Sequence, residues 1–327
     1  VIRIMGRPRA LVAVLAGCLL LAGCGSGPGQ VGAAAIINGR TISVDDVQRL
    51  IDKAVKEQPA AQQLAQQHKL SLVGREVVRQ EVLHELTTLV AKRENVSVSA
   101  AELAAAMQND PLAQPMASAG ETGNVAPELV SRVRDRAQVL TDLLLQEKIG
   151  QKSFSTQTVT IDAMSIGGDD AAGSVDAKTA RDKAFATAKR FASSPEVAAN
   201  EIKQDKQPQL GLKLIASQSQ PGAYPVFGAP VNSVLTFQLS PQQLSWVVVV
   251  VRARAIGAPA PVDPQQAPGR DQVALYGLRL LQPAFAELNA KISPRYGVWD
   301  PIAMGLAENE ATTQGAVLPI SGTTPKP

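Results

Sequence analysis

The sequence predicts an α+β fold, and three observations carry that expectation. Apolar residues recur at helical spacing through most of residues 44–149. Alternating and continuous apolar runs then read as strands near Val159–Ile166, Val234–Leu239 and Trp246–Val251. A helical pattern returns at Asp271–Ile292, after a linker holding Pro259, Pro261, Pro264 and Pro268.

Ala33–Ile42 reads as two short strands joined by Asn38-Gly39, a pair that accepts the positive φ angles of a tight hairpin. Ser43 or Thr41 can cap a helix from Val44, with Asp45 and Asp46 where the helix dipole favours acids. Val47, Leu50, Ile51 and Ala54 form its apolar face. A Gln-rich interval with Pro59 precedes a long helix, Leu70–Glu94, striped by Val78, Val82, Leu86 and Leu89. Ser99 and Glu102 have the spacing of a capping box for a helix over Ala100–Gln108. Residues 109–126 read as loop. One helix is expected over Pro127–Ile149, with Val130, Val133, Ala137, Leu140 and Leu144 on its apolar stripe and Arg132, Arg134, Asp135 and Arg136 in solvent.

Beyond Lys152, a strand around Val159, Ile161 and Ala163 leads to an amphipathic helix, Asp176–Phe191, with Ala184, Ala188 and Phe191 inward. Pro195 starts a further helical turn or two. The five valines Val247–Val251 suit a central strand covered on both faces. Pro283 is expected to kink or divide the last helix, in which Val273, Leu280, Ala284 and Leu288 point inward. Thr312–Pro327 reads as a polar tail without reason to fold.

The amino terminus bears on location. Arg3, Arg7 and Arg9 precede the apolar run Ala10–Leu21, which ends in Leu21-Ala22-Gly23-Cys24. A basic head, a short apolar middle and small residues at the exit have the form of a secretory signal, and the run falls short of the ~20 residues of a spanning helix. Its ending resembles a bacterial lipoprotein box. That resemblance implies cleavage between Gly23 and Cys24, diacylation of Cys24 and a body held on the outer face of the cell membrane. Gly25-Ser26-Gly27-Pro28-Gly29 suits a flexible tether.

Removing residues 1–23 takes the net charge from +3 to about zero, so nothing argues for a nucleic-acid partner. The two cysteines are Cys18, within the signal, and Cys24, so the mature body has no disulfide and no cysteine metal site. His68 and His84 are the only histidines; they lack the converging ligands of a metal site and read as exposed helical residues. No Gly-x-Ser-x-Gly elbow is present to suit a serine hydrolase. Gly167-Gly168-Asp169-Asp170 meets the spacing of neither a phosphate loop nor a calcium loop. Trp246 and Trp299 read as core or docking residues. No cofactor is expected.

The run Ala35-Ile36-Ile37-Asn38-Gly39-Arg40-Thr41-Ile42-Ser43, followed by Asp46-Val47, resembles the opening of the SurA and PrsA group of extracytoplasmic foldases. Val96-Ser97-Val98-Ser99 before Glu102-Leu103 is similar to that group's mid-domain helix start. Pro294-Arg295-Tyr296-Gly297-Val298-Trp299-Asp300 resembles the close of SurA-like lipoproteins. The resemblance spans most of residues 33–301. It implies a mostly helical chaperone module, residues 33–152, completed by a carboxyl-terminal helix in residues 270–301. A small parvulin-like α/β unit is inserted at 156–257, with a linker at 258–269 and a disordered tail at 302–327.

The implied function is binding of unfolded or newly exported polypeptides in an apolar cleft. Candidate client-binding residues are Leu86, Leu140 and Leu144, although ordinary core is the first reading of each. A parvulin-type isomerase places histidines on its first and last strands. The corresponding positions here are Ala163 and Val247; Asp205 stands near the acidic position, and Leu210-Gly211 near the glycine-rich strand. The resemblance therefore implies a unit that binds and has no catalytic residue. An active prolyl isomerase and an adaptor for one dedicated envelope partner are the alternatives.

Overall fold

The computed structural model describes residues 32–114, 125–167, 176–205, 207–240, 245–261 and 268–323. The signal, Cys24 and the glycine-rich stretch after it lie outside the described residues, as do residues 168–170 of the Gly-Gly-Asp-Asp loop. The fold is α+β with antiparallel sheets.

Strands β1 (Ala33–Ile37) and β2 (Arg40–Ser43) form the hairpin, with Asn38 and Gly39 at φ +50° and +80°. Helix α1 (Val44–Glu57) starts where the Ser43 hydroxyl accepts the Asp46 N–H. The Gln-rich interval is itself helical: α2 (Pro59–Gln66) has proline in its first turn and buries Ala60 and Ala61. Helix α3 (Leu70–Arg93) is the axis of the module and buries Val73, Val77, Val78, Val82, Leu83, Leu86 and Val90. Helix α4 (Ala100–Gln108) has both halves of its capping box.

The single helix expected over Pro127–Ile149 is two helices, α5 (Ala126–Val133) and α6 (Arg136–Gln151). The break is made by Asp135, whose carboxylate accepts the Gln138 N–H and so offers the chain a new helix start. The bend also turns the arginines inward, against the expectation of a solvated face. Arg134 is buried, with Nη1 on Gln80 Oε1 at 3.1 Å and Nη2 on Gln138 Oε1 at 3.1 Å and Glu81 Oε1 at 3.2 Å. Arg136 pairs with Asp110, and Arg132 donates to the Leu112 carbonyl.

The inserted unit comprises β3 (Gln157–Ile166), α7 (Ala177–Ser193), α8 (Pro195–Lys203), β4 (Gln209–Ile215), α9 (Pro225–Gly228), β5 (Ser233–Phe237) and β6 (Trp246–Ile256). After it come α10 (Arg270–Leu280), a 3-10 stretch at Gln282–Leu288, and strands β7 (Lys291–Ile292), β8 (Val298–Asp300), β9 (Gly305–Ala307) and β10 (Gly315–Pro319). The principal sheet has the order β10-β5-β6-β3-β4. The valine run serves both faces of β6. Val248 and Val250 pack with Ala184, Ala188 and Phe191 of α7, while Val249 and Val251 pack with Ile161, Leu235, Phe227 and Tyr276.

At the carboxyl end Pro283 divides the last helix, as expected, and two bounds are corrected. The helix after the linker is α-helical only to Leu280; Pro283 then lies in the 3-10 stretch, which ends at Asn289 with φ +45°. The expected tail is folded in part: β10 is an edge strand, paired with β5 from Gly315 opposite Phe237 to Pro319 opposite Ser233. Val317 packs toward one core and Leu318 toward the other. Asp300 anchors its approach, the buried carboxylate accepting the N–H groups of Ile302, Ala303 and Gln314.

The last third of the chain also completes the helical module. Leu281, Ala284 and Leu288 join the core around α3, and β7 pairs with β1, with Ala35 opposite Ile292. Helices α6 and α10 cross at Gly150 and Gly277. A Cβ on Gly150 would overlap the Val273 carbonyl oxygen, and one on Gly277 that of Gln146. No described helix is long and apolar enough to cross a membrane.

Candidate functional site

The three leucine candidates separate. Leu86 is fully buried in the core, where α3 meets its neighbours, so it reaches no surface. Leu140 and Leu144 instead line a groove of about 510 Å³ between α4, α6 and the first turn of α10. Its apolar lining is completed by Ala105 and Ala106 of α4, Leu143 of α6 and Ala274 of α10. Leu140 is buried, Leu144 half-buried, and Leu143 is 46% exposed.

Leu143 lies off the apolar stripe of Leu140 and Leu144, yet the sequence carries a signal for it. Successive helical residues turn by about 100°, so Leu143-Leu144-Leu145 covers most of the circumference. Leu145 takes the core, leaving Leu143 outward.

Ion pairs frame the groove. Lys148 Nζ lies 2.6 Å from Glu102 Oε1, joining α6 to α4. Arg270 lies across Glu147, Nη2 to Oε2 at 2.7 Å, joining α10 to α6. Gln151 donates to the same Glu147 at 3.0 Å. The bond from Lys148, then the Ser99 N–H and hydroxyl, hold the Glu102 carboxyl down at about 2, so this carboxylate stays ionised across the physiological range. The lining sets the apolar side chains of Leu140, Leu143, Leu144, Ala105, Ala106 and Ala274 beside charged ones, the buried Glu147 among them. Such a site can bury aliphatic side chains while leaving a bound backbone near polar groups.

The two positions that the resemblance aligns with parvulin histidines also come together. Ala163 of β3 stands opposite Val249 and Val247 of β6 opposite Ser165, so the two lie one diagonal step apart on the same sheet face. Both pack in the apolar cluster that contains Tyr224 and Phe237. Asp205 accepts the Gln207 N–H at 3.4 Å. Gly211 adopts φ +64° in β4, and its N–H is bound by Asp162, an acid the sequence reading passed over. Asp162 also receives Arg252 Nε at 2.6 Å, which makes it a tie between strands.

The histidines part company too. His68 is exposed and closes α2 at φ +56°. His84 is not a free surface residue: Nδ1 lies 2.8 Å from Asp142 Oδ1, and Nε2 lies 3.1 Å from Gln138 Nε2, which ties α3 to α6. The hydrogen bond to Asp142 raises its pKa above the ordinary 6.5, against desolvation. A raised folded-state value means the pair's stabilisation is complete below about pH 6.5 and declines as pH rises through the folded pKa. Urea titrations across pH 5.5–8.5 are expected to show this loss, and His84→Gln to flatten it; an unchanged slope in the variant would remove His84 as its source.

Trp246 is buried edge-on to Phe185, with ring centres 5.6 Å apart. Trp299 stacks on Phe285 at 4.3 Å and docks the carboxyl-terminal segment onto the helical module. Compared with known proteins, the chain matches no family model and no curated sequence.

Proposed function

We propose that this chain is a lipid-anchored extracytoplasmic holdase, one that binds unfolded or newly exported polypeptides without isomerase catalysis. The observation that carries the reading is the groove over Leu140, Leu143 and Leu144, lined by leucines and alanines and framed by ion pairs. Burial there stabilises a client by ~25 cal/mol per Å² of apolar surface and demands little of its sequence. The arrangement suits the SurA and PrsA resemblance, since an α/β unit is inserted between helices α6 and α10 that pack on each other. Binding without catalysis is supported by Ala163 and Val247, aliphatic neighbours where a parvulin-type unit carries histidines.

The test of the groove is suppression of aggregation of a chemically denatured client protein. The protein from residue 25 onward is expected to suppress it, and Leu143→Asp to weaken suppression about tenfold. Because Leu143 is exposed, that variant is expected to keep its stability within about 0.5 kcal/mol. Full suppression by a folded Leu143→Asp protein would place the clients elsewhere, and binding of one stoichiometric partner alone would favour an adaptor.

The anchor rests on Leu21-Ala22-Gly23-Cys24. Cells given labelled palmitate are expected to label the wild-type chain and not Cys24→Ser, with the variant released from membranes. Label retained by the variant would sink the assignment.

A further inference from the structure

We propose that α4 is a lid over the leucine groove, held shut by ionic latches at its two ends and opened by local detachment to admit a client. This rests on the groove being the client site.

Helix α4 has no buried residue, although five of its nine residues are alanine and two more are Leu103 and Met107. Leu103 and Ala106 are half-buried, and Met107 is 45% exposed. A helix that buries so little is weakly held by packing, and its detachment costs far less than global unfolding. Polar contacts at each end make up the difference. At its start, Lys148 of α6 reaches both Glu102 and the Ser97 carbonyl, at 2.6 Å and 2.7 Å. Just past its end, Arg136 of α6 pairs with Asp110 through two nitrogens, and Arg132 of α5 donates to the Leu112 carbonyl at 2.8 Å.

Between these latches lie Ala105 and Ala106, which form the α4 wall of the groove. Their small side chains give α4 little grip on Leu140 and Leu144. Lifting α4 would therefore uncover those leucines beside Leu143 at small cost in buried surface. The capping box of Ser99 and Glu102 is internal to α4, so the helix start survives the movement.

The latch can be weakened without disturbing the fold. Glu102→Gln keeps a capping-box acceptor and removes the charge facing Lys148. Asp110→Asn keeps an oxygen for the Leu112 N–H and removes the charge facing Arg136. Hydrogen exchange on the protein from residue 25 onward is expected to find α4 amides exchanging at least about tenfold faster than those of α6. The double variant is expected to speed α4 a further three- to tenfold, as about two lost ion pairs allow, with α6 unchanged. Raised salt is expected to act on the wild type in the same direction. Equal exchange of α4 and α6 in the wild type, or equal acceleration of both in the variant, would overturn the lid.

Binding of reduced, carboxymethylated α-lactalbumin supplies the second measurement. The double variant is expected to bind it three- to tenfold more tightly than wild type. Wild-type binding that the variant leaves unchanged or weakens would refute the lid and leave the groove reading intact. No binding by either protein would instead remove the groove reading, and the lid with it.

Discussion

Gly277→Ala is expected to destabilise the protein by about 3 kcal/mol, because a methyl group there forces helices α6 and α10 apart. Helix propensity alone predicts the opposite sign, since alanine is better than glycine in a helix by about 1 kcal/mol. The close approach decides the contest: the Gln146 carbonyl oxygen occupies the space a Cβ would need, and Gly150 N lies 2.9 Å from that position. The fault would spread, because α10 continues into Leu281, Ala284 and Leu288 of the helical core. Thermal unfolding is expected to fall by roughly 10 °C. Gly257→Ala, where the nearest atom beyond the adjoining residues is the Thr156 carbonyl oxygen, 4.0 Å from the new Cβ, is expected to change little. A Gly277→Ala protein as stable as wild type would mean that this crossing does not hold the two ends of the chain together.

Arg134→Met is expected to cost a similar amount, about 3 kcal/mol, for a different reason. The guanidinium sits where α5 breaks from α6 and joins Gln80, Gln138 and Glu81. Gln80 passes the network to Glu76, the Pro127 carbonyl and Ser131, within 3.2 Å of each. Methionine fills comparable volume and satisfies none of these groups, so of its ion pairs among the described residues Glu81 keeps that with Arg40 at 3.3 Å. Buried polar groups left without partners set the penalty. Adding Glu81→Gln is expected to restore part of the loss, since the carboxylate that has lost Arg134 is then neutral. Chemical denaturation of the single and double variants gives the coupling directly; simple additivity would show that the ion pair plays no part.

Much of this fold was legible because its signals are local. Asn38-Gly39, Ser43 before two acids, and Ser99 before Glu102 each act within a few residues, and each builds the turn or cap its chemistry implies. The valine run announced a strand with two covered faces. What failed depended on distant partners. Asp135 breaks a helix whose apolar spacing continues through it, and Arg134 is drawn inward by Gln80, more than fifty residues earlier. Strand β10 was missed because Gly315-Ala316-Val317-Leu318-Pro319 has no clean alternation, and only β5 beside it makes pairing worthwhile.

The groove was half legible for the same reason. Periodicity picked out Leu140 and Leu144 with Leu86, and could not tell a leucine facing the core from one facing a gap between helices. Its rim pair, Glu147 and Arg270, is separated by the whole inserted unit.

That separation has a consequence for the order in which the molecule can be made. A chain emerging amino terminus first delivers α1 to α6 well before residues 281–292, which finish their core and add the third strand beside β1. The inserted sheet likewise waits for residues 315–319 to supply its last strand. Neither half closes until the final stretch has emerged, so contacts far apart in sequence set the pace of folding. This protein must pass through an interval with its own apolar surfaces uncovered, in the condition it is proposed to relieve in others.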